Sequence, residues 1–491
     1  MFENLYLIIV LLPILAALLM LLIPAIRKNR ILRNIYVSSI TFLTAVFTII
    51  AAFKDMGPVR YFTFVGKVSF TFSFDNVGKL FAVLTCVMWF ISSIYQEEYL
   101  KHEKEEARYH FFFLSSLTAL LGICFAGNLV TMYLFYEMMT LAIMPLVLHT
   151  LTKDSIAAAM RFLFYSIGGA FLSLAGIFYL NRFLTSYDFI PGGQLIAIAT
   201  QNKEMILLVV FLMILGFGTK AGMFPLHGWL PVAHPEAPSP ASALLSGNVT
   251  KMGVLAIVRV IYYIIGPEFI RGTWVQYVFL SLTLITILMG SMMAYKEQIL
   301  KKRLAYSSVS QLSYILFGIA LLNQTALTGA LLHVIFHSIV KNSLFLVAGA
   351  IIYKTGKTKV KELLGIGKEM PVVMWCYTIA SISLIGIPPT SAFLSKWYLS
   401  IGALESSIGV VSYIGPVMLI VSALLTAGYL LNITIEGFFP GKDYPYQNLS
   451  KKEPNIKMKL PLVVLVSCAV LLGMFPTSLI EFIHDFTTIL F

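Results

Sequence analysis

Charged residues are scarce in this sequence: Asp, Glu, Lys and Arg make up 12% of 491 residues, whereas hydrophobic residues make up 58%. The mean hydropathy is +0.86. A soluble domain carries roughly twice that charged fraction, so the composition excludes a soluble globular protein. We therefore expect an integral membrane protein.

Cysteine is also rare, and its placement argues against several kinds of chemistry. Cys86, Cys124, Cys376 and Cys468 are scattered through apolar stretches and show neither a disulfide pattern nor a metal-site spacing. The sequence contains no iron–sulphur spacing, nucleotide-binding loop, pair of haem ligands or nucleophile triad. We expect no metal, no cofactor and no catalytic chemistry in this chain, so any oxidoreductase activity would belong to partner subunits.

Apolar segments of about 20 residues recur along the whole sequence, and each is long enough to cross a bilayer as a helix. No segment shows the short alternating pattern of a membrane β-barrel, so the sequence predicts an all-α polytopic fold. We predict fourteen spans: 5–26, 31–53, 77–97, 109–126, 129–151, 157–181, 205–224, 238–265, 273–295, 304–322, 325–353, 371–400, 408–438 and 460–479. The first is expected to be a span and not a signal peptide, because Met1-Phe2-Glu3 offers no basic leader.

The loops between the spans predict the orientation of the chain in the membrane and a short β-hairpin. Basic residues crowd every second loop, at 27–33, 101–108, 153–161, 296–303, 354–368 and 442–459. That asymmetry predicts a cytoplasmic location for these loops and an outer location for both termini, and it accounts for most of the net charge of +12 without nucleic acid. Residues 60–76 alternate at a period near two, which predicts a short outer β-hairpin, and 440–454 is the longest polar linker.

Titratable side chains lie inside the predicted spans. A charge at mid-bilayer depth costs roughly 2.5–3.5 kcal/mol on insertion scales, so a series of them indicates a proton or ion path. A structural network of ion pairs is the alternative. The residues are Glu137, Lys220, Lys251, Arg259, His333, His337, Lys341 and Lys396.

Two predicted spans contain helix breakers close to a lysine. The seventh carries Gly216, Gly218 and Gly222 around Lys220, with Pro225 after them. The twelfth carries Pro388 and Pro389 ahead of Lys396. Proline cannot donate a backbone hydrogen bond, so we expect both helices to break there and to expose backbone to a wet cavity. A kink that only improves packing is the alternative.

The eleventh span carries His333, His337 and Lys341 at positions i, i+4 and i+8, which share one helix face. Histidine titrates near neutrality, so the stripe suits proton relay. A zinc site is not expected, because no third ligand is indicated. Histidines that are simply hydrogen-bonded inside the bundle remain an alternative.

The eighth span carries two further basic residues on one face. Lys251 follows Ser246-Gly247-Asn248, which leaves room for water. Arg259 stays protonated at any relevant pH and cannot shuttle protons, so we interpret it as structural.

These residues carry a family resemblance. The run Tyr136-Glu137-Met138-Met139-Thr140 resembles the glutamate motif of the antiporter-like subunits shared by Mrp-type Na⁺/H⁺ antiporters, membrane-bound hydrogenases and respiratory complex I. The block 220–253 is similar to the most specific signature of that family. Its core reads Phe224-Pro225-Leu226-His227-Gly228-Trp229-Leu230-Pro231-Val232-Ala233-His234-Pro235-Glu236-Ala237-Pro238-Ser239.

The resemblance implies an inverted repeat of five helices, spans 4–8 against spans 9–13, each half contributing a half-channel. It divides the chain into 1–108, 109–265, 266–440 and 441–491. It also implies that Glu137, Lys220, Lys251, His333, His337, Lys341 and Lys396 form one hydrated axis parallel to the membrane plane. Lysine at position 396 is similar to the Mrp D-type subunit, and the chain ends too soon after span fourteen for the long lateral helix of the largest complex I subunit.

We therefore expect a proton- or Na⁺-translocating subunit in the plasma membrane, with the other membrane subunits of an Mrp-type, respiratory or hydrogenase complex as partners. Glu137 is expected to act as the coupling carboxylate of Lys220, where a separation of about 4 Å would stabilise the ammonium by roughly 4 kcal/mol. Two alternatives stay open: an inert scaffold that anchors a redox arm or a neighbouring pump, and an independent carrier of a small solute.

Overall fold

The computed structural model describes residues 4–54, 56–441, 444 and 450–491. Positions Met1-Phe2-Glu3, and 442, 443 and 445–449 of the predicted polar linker, lie outside this part of the chain.

The N-terminal region contains helices and the predicted hairpin. Strands β1 (Val59–Val65) and β2 (Val68–Phe72) pair antiparallel, and Gly66 supplies the positive φ of the turn between them. The hairpin is fixed to the next part of the chain because Asn128 Nδ2 donates to the Ser69 carbonyl oxygen over 2.9 Å. The prediction of a hairpin is confirmed. The helices are α1 (Leu5–Leu22), α2 (Pro24–Lys28), α3 (Arg30–Ala52) and α4 (Asn76–Tyr99).

The first half of the bundle runs from α5 to α12. Its helices are α5 (Glu106–Phe125), α6 (Leu129–Val147), α7 (Lys153–Leu180), α8 (Lys203–Lys220), α9 (Leu230–Glu236), α10 (Ser239–Leu244), α11 (Thr250–Val258) and α12 (Pro267–Ile270). The π-helical stretch Leu245–Val249 joins α10 to α11, and a second one, Arg259–Ile265, extends α11, so that Ser239–Ile265 forms one continuous buried helix. This continuous helix is the predicted eighth span.

The second half contains the remaining helices. They are α13 (Trp274–Lys296), α14 (Leu300–Ala320), α15 (Gln324–Thr355), α16 (Ile366–Glu369), α17 (Pro371–Ile385), α18 (Ser391–Glu405), α19 (Val411–Phe438), α20 (Ile456–Met474) and α21 (Thr477–Thr488). The longest, α15, is almost entirely buried and packs against α14, α17 and α18. It therefore forms the centre of the C-terminal half.

Twelve helices in the described residues are long and apolar enough to cross a membrane. The other two predicted spans correspond to α14, whose serines and Gln311 make it more polar, and to α17 with α18, which the break divides into two short helices. The predicted polytopic helical fold is confirmed. The domain boundaries stay predictions.

Both predicted breaks are present. Helix α8 ends at Lys220, and Pro225 lies in the non-helical stretch before α9. Helix α17 ends at Ile385, and Pro388 and Pro389 lie in the turn before α18. The sequence did not predict α9, which lies past the first break, or α21, which follows the last span.

Candidate functional site

The structure buries the predicted path residues to different extents. Lys220, Lys251, His333, His337 and Lys341 are each at most 1% exposed, and Lys396 is 9% exposed. Glu137 is half-buried.

Lys220 is the last residue of α8 and reaches across to α6. Its Nζ donates to the Tyr136 carbonyl oxygen over 3.1 Å and to the Thr140 hydroxyl, and it lies 3.9 Å from the centroid of the Tyr136 ring. Tyr136 and Thr140 are one helical turn apart, so they present a single polar patch to the ammonium.

Glu137 and Lys220 form no ion pair within 4.0 Å, but the charge of each acts on the other, so the role of Glu137 as the coupling carboxylate of Lys220 stays a prediction. Glu137 follows Tyr136 by one residue, which places it about 100° around α6 from the residue whose carbonyl oxygen accepts from the ammonium. Its Oε1 is buried and has no hydrogen-bond partner among the described residues. The neighbouring residues on the same face, Leu134 and Leu141, are exposed on the outer surface of the bundle.

Lys251 and Lys341 both donate to main-chain carbonyl groups. Lys251 Nζ lies 2.5 Å from the carbonyl oxygen of Ser246, inside the first π-helical stretch. A π-turn changes the i→i−4 pattern and so leaves main-chain groups available to a side chain. Lys341 Nζ donates to the Leu304 carbonyl oxygen over 2.9 Å and to the Ser307 hydroxyl of α14.

His333 and His337 connect α15 to the second break. Their rings are stacked with centroids 5.8 Å apart, and His333 Nδ1 lies 2.8 Å from Ser395 Oγ of α18. Neither nitrogen of His337 has a hydrogen-bond partner in the described chain. No group of three or more His, Cys, Asp or Glu side chains in the part of the chain described is arranged to hold a metal ion.

Lys396 lies one turn into α18 and turns back toward the broken helix. Its Nζ donates to the carbonyl oxygens of Leu384 and Ile385 over 2.7 and 2.8 Å, and it lies 5.2 Å from the centroid of the Tyr314 ring. These carbonyl groups form the C-terminus of α17, where the helix dipole favours a cation. The break therefore supplies the binding site for the ammonium.

Buried polar atoms without a protein partner accumulate around these residues. Such atoms are normally satisfied by ordered water in a membrane-protein interior. Those of the described residues near the path are Glu137 Oε1, Asn248 Nδ2, Gln311 Nε2 and Oε1, His333 Nε2, His337 Nδ1 and Nε2, Asn342 Oδ1 and Ser343 Oγ. The arrangement can hold water between the titratable groups and pass a proton along them.

Arg259 is held differently from the lysines. Its guanidinium is 1% exposed and forms a bidentate ion pair with Asp75, at 2.5 and 2.6 Å, between the rings of Phe189 and Tyr263. Asp75 also caps α4 by accepting from the Gly78 backbone. This geometry supports the structural interpretation of Arg259.

Sequence reasoning missed the neutral partners of the lysines, namely Thr140, Ser246, Ser307 and Tyr314. Thr140 lay inside the quoted glutamate motif and Ser246 beside Lys251, so spacing was a usable signal for these two. The contacts of Lys341 and Lys396 depend on tertiary packing.

The family model and the related sequences agree on the same protein family. The model of the family described as NADH:quinone oxidoreductase/Mrp antiporter, TM, matches residues 126–434. The NADH-quinone oxidoreductase subunit N of Desulforudis audaxviator is 33% identical over 425 residues, covering 83% of this chain and 82% of the relative. The D-type Na⁺/H⁺ antiporter subunit of Alkalihalophilus pseudofirmus is 27% identical over 403 residues, covering 81% and 79%.

The fold is similar to that of a chain in the Mrp complex from Dietzia sp. DQ12-45-1b. The TM-score is 0.85 at 22% sequence identity, and the match covers 99% of this chain and 97% of the other. With more than half of the sequence matched by the family model and a relative above 30% identity, the chain belongs to the NADH:quinone oxidoreductase/Mrp antiporter transmembrane family.

Proposed function

We propose that this chain is a proton-translocating, antiporter-like subunit of a multisubunit membrane complex. Protons move along the row Glu137, Lys220, Lys251, His337, His333 and Lys396, with Lys341 connected to it. The relatives are subunits named for NADH–quinone oxidoreductase and for Na⁺/H⁺ antiport, and this supports membrane subunits as partners.

One observation carries the proposal. Lys220, Lys251, Lys341 and Lys396 are buried, and the hydrogen bonds of their ammonium groups all go to neutral oxygen atoms. None of the four makes an ion pair with a described residue. A buried charge without a counter-ion is strongly destabilising, and a structural network would pair its charges, as Arg259 and Asp75 do in the same molecule. A lysine that gains and loses a proton needs no permanent counter-ion, and this accounts for the difference between the four unpaired lysines and the paired Arg259.

The location of the basic loops supports an orientation. We define the basic face as the end of the bundle that carries the α4–α5, α13–α14 and α15–α17 connections. Lysine and arginine favour cytoplasmic loops, so the basic face is assigned to the cytoplasm and the hairpin to the outside of the plasma membrane. Both termini are then outside.

The test is the Glu137→Ala variant in the whole complex, reconstituted into proteoliposomes. Glu137 is the acidic member of the row, so we expect loss of proton flux with normal assembly. Glu481→Ala, on the exposed surface of α21, is the matched control and keeps wild-type flux. Wild-type flux in Glu137→Ala would contradict the proposal and favour the inert scaffold.

A carrier of a small solute fits less well. Such a protein needs several polar groups converging on one central cavity. In this chain the titratable groups are distributed over α6, α8, α11, α15 and α18.

A further inference from the structure

A groove of about 790 Å³ lies between the end of α3 and helices α4, α15, α20 and α21. We call it the lateral groove. One wall is the face of α4 from Lys79 to Ile91, and the opposite wall is the face of α20 from Leu465 to Leu472. Phe53, at its edge, is 88% exposed, so the groove opens to the surroundings of the bundle. Lys79 is the only charged side chain among the described residues that line it.

The length of the lateral groove matches one leaflet of a bilayer. Its α4 wall extends over residues 79–91, which is roughly 18 Å at 1.5 Å per residue. Half of a hydrocarbon core of about 30 Å is about 15 Å. Lys79 lies in the first turn of α4, at the end of the bundle that carries the hairpin. The groove therefore runs from that surface to the middle of the membrane.

The size and lining of the lateral groove do not suit a transmembrane helix of a partner subunit. A helix about 10 Å across and about 18 Å long occupies roughly 1,400 Å³, which is well above the volume of the groove. Helix contacts inside membranes also favour small residues that allow close approach. This lining consists almost entirely of Leu, Ile, Val, Met and Phe, with Ala52 as its single small residue. A flexible hydrocarbon chain suits such a surface better.

Positive charge lies at the hairpin end of the lateral groove. Lys79 lines the groove there, and Lys54 directly follows the lining residue Phe53. A lysine near a helix end can extend its apolar stem along the hydrocarbon region and place its ammonium among the head groups. Lysines at the membrane surface attract anionic lipids. The groove therefore combines an apolar channel with a site for a phosphate group.

The floor of the lateral groove belongs to the helix that carries the paired histidines. Ile335 and Ile339 of α15 line the groove. Each follows one of the stacked residues His333 and His337 by two positions, which is about 200° around the helix. The isoleucines therefore face the groove from the back of the histidine stripe. A chain bound in the groove would pack directly against this side of α15.

We propose that the lateral groove is a binding site for one anionic phospholipid. An acyl chain fills the groove between α4 and α20 and packs on Ile335 and Ile339, and the phosphate lies at the Lys79 ammonium. With the orientation proposed above, the lipid belongs to the outer leaflet. The site does not depend on proton transport along the row, because its occupancy is measured without flux.

The first experiment maps the lipid on the whole complex. The complex is delipidated in mild detergent and returned to vesicles of phosphatidylglycerol that carry a photoreactive diazirine in one acyl chain. After illumination, the labelled peptides are identified by mass spectrometry. We expect adducts to concentrate on the groove residues of α4 and α20. Labelling of these residues no stronger than that of the exposed face of α19 would show only lipid that surrounds the bundle, and it would overturn the proposal.

A pair of valine variants tests whether the lateral groove itself holds the lipid. Val87→Trp places a large ring in the groove, where Val87 is half-buried. Val417→Trp is the matched control on α19, 57% exposed and outside the groove. Adducts on α20 are expected to fall about fivefold or more in Val87→Trp, as overpacking by at least about 1 kcal/mol would cause, and to stay at the wild-type level in Val417→Trp.

Two results with these variants would contradict the assignment. Equal adducts in the two assembled variants would show that the lipid lies elsewhere. A quinone that is extracted from the wild-type complex and missing from Val87→Trp would identify a different occupant. If Val87→Trp does not assemble, the adduct map of the wild-type complex still decides the proposal.

Lys79→Gln tests the position of the head group. The preference for phosphatidylglycerol over phosphatidylcholine in groove adducts should fall about fivefold, since one lysine near the membrane surface contributes about 1 kcal/mol to the binding of anionic lipid. Lys203→Gln is the control, because Lys203 is exposed at the same end of the bundle and outside the groove. An unchanged preference in Lys79→Gln would show that the phosphate does not lie at Lys79.

Discussion

Lys396 Nζ lies 2.8 Å from the carbonyl oxygen of Ile385, the last residue of α17. A cation at a helix C-terminus is stabilised by about 0.3–1 kcal/mol at the surface, and by up to about 2 kcal/mol when partly buried. The break in the twelfth predicted span thus creates a site for one positive charge.

Lys396→Met is predicted to stop transport without preventing assembly. Methionine has a similar length but carries no proton, so proton flux should fall by roughly tenfold or more. The measurement is flux in proteoliposomes, normalised to the assembled complex. Lys452→Met, which removes a half-exposed lysine paired with Glu369, is the control and should leave flux unchanged. Equal flux in the two variants would remove Lys396 from the path.

Thr140→Val is predicted to weaken the Lys220 site. The change removes a hydroxyl that accepts from the ammonium, and a hydrogen bond to a charged group contributes about 1.5–3 kcal/mol. We expect a lower thermal unfolding temperature and a reduced flux. Thr118→Val is the control, because the Thr118 hydroxyl is buried and has no hydrogen-bond partner among the described residues, so its loss should be neutral or stabilising. A Thr140→Val complex as stable as Thr118→Val would show that the hydroxyl is dispensable.

Arg259→Gln is predicted to affect stability and not transport. The Arg259 side chain is buried and the Asp75 side chain is 32% exposed, so the loss should lie between the about 3–5 kcal/mol of a fully buried pair that loses one partner and the about 0–1 kcal/mol of an exposed pair. The yield and thermal stability of the complex should fall, and flux per assembled complex should stay at the wild-type level. Arg271→Gln, which breaks an exposed pair with Glu268, should change neither. Lost flux in a well-assembled Arg259→Gln complex would give Arg259 a direct role.

Gly169→Ala is predicted to disturb the contact between α7 and α8. A Cβ at position 169 would lie 2.5 Å from the Gly216 carbonyl oxygen and 2.7 Å from Thr219 Oγ1, directly before Lys220. Overpacking of this kind costs about 1–3 kcal/mol. At Gly168 the same Cβ meets nothing within 4 Å, so Gly168→Ala should be neutral or stabilising by up to about 1 kcal/mol. Thermal unfolding of the two neighbouring variants tests this directly, and equal stability would contradict it.

The sequence predicted the features that local pattern determines. Continuous apolar segments marked the spans, an alternating segment marked the hairpin, and Pro225, Pro388 and Pro389 marked the breaks. The buried titratable residues were found because a charge in an apolar helix is conspicuous. The roles assigned to them stay predictions.

The rest depended on tertiary geometry. Both acceptors of Lys396 and one of the two acceptors of Lys341 are main-chain carbonyl groups. Every residue carries such a group, so sequence cannot indicate which ones a side chain will reach. The position of Glu137 on α6 followed from how that helix is rotated against α8. The short helices α9 and α21 fall below the length that an apolar-segment criterion detects.

All four buried lysines donate to main-chain carbonyl groups, and this affects how a proton leaves each site. A carbonyl oxygen is neutral, and an uncharged amine can still donate a hydrogen bond to it. Deprotonation of the lysine therefore leaves no unpaired negative charge buried at the site. The local geometry can then remain the same in both ionic states, and little rearrangement energy opposes the departure of the charge. Proton release at each of these lysines therefore requires little conformational change in the subunit.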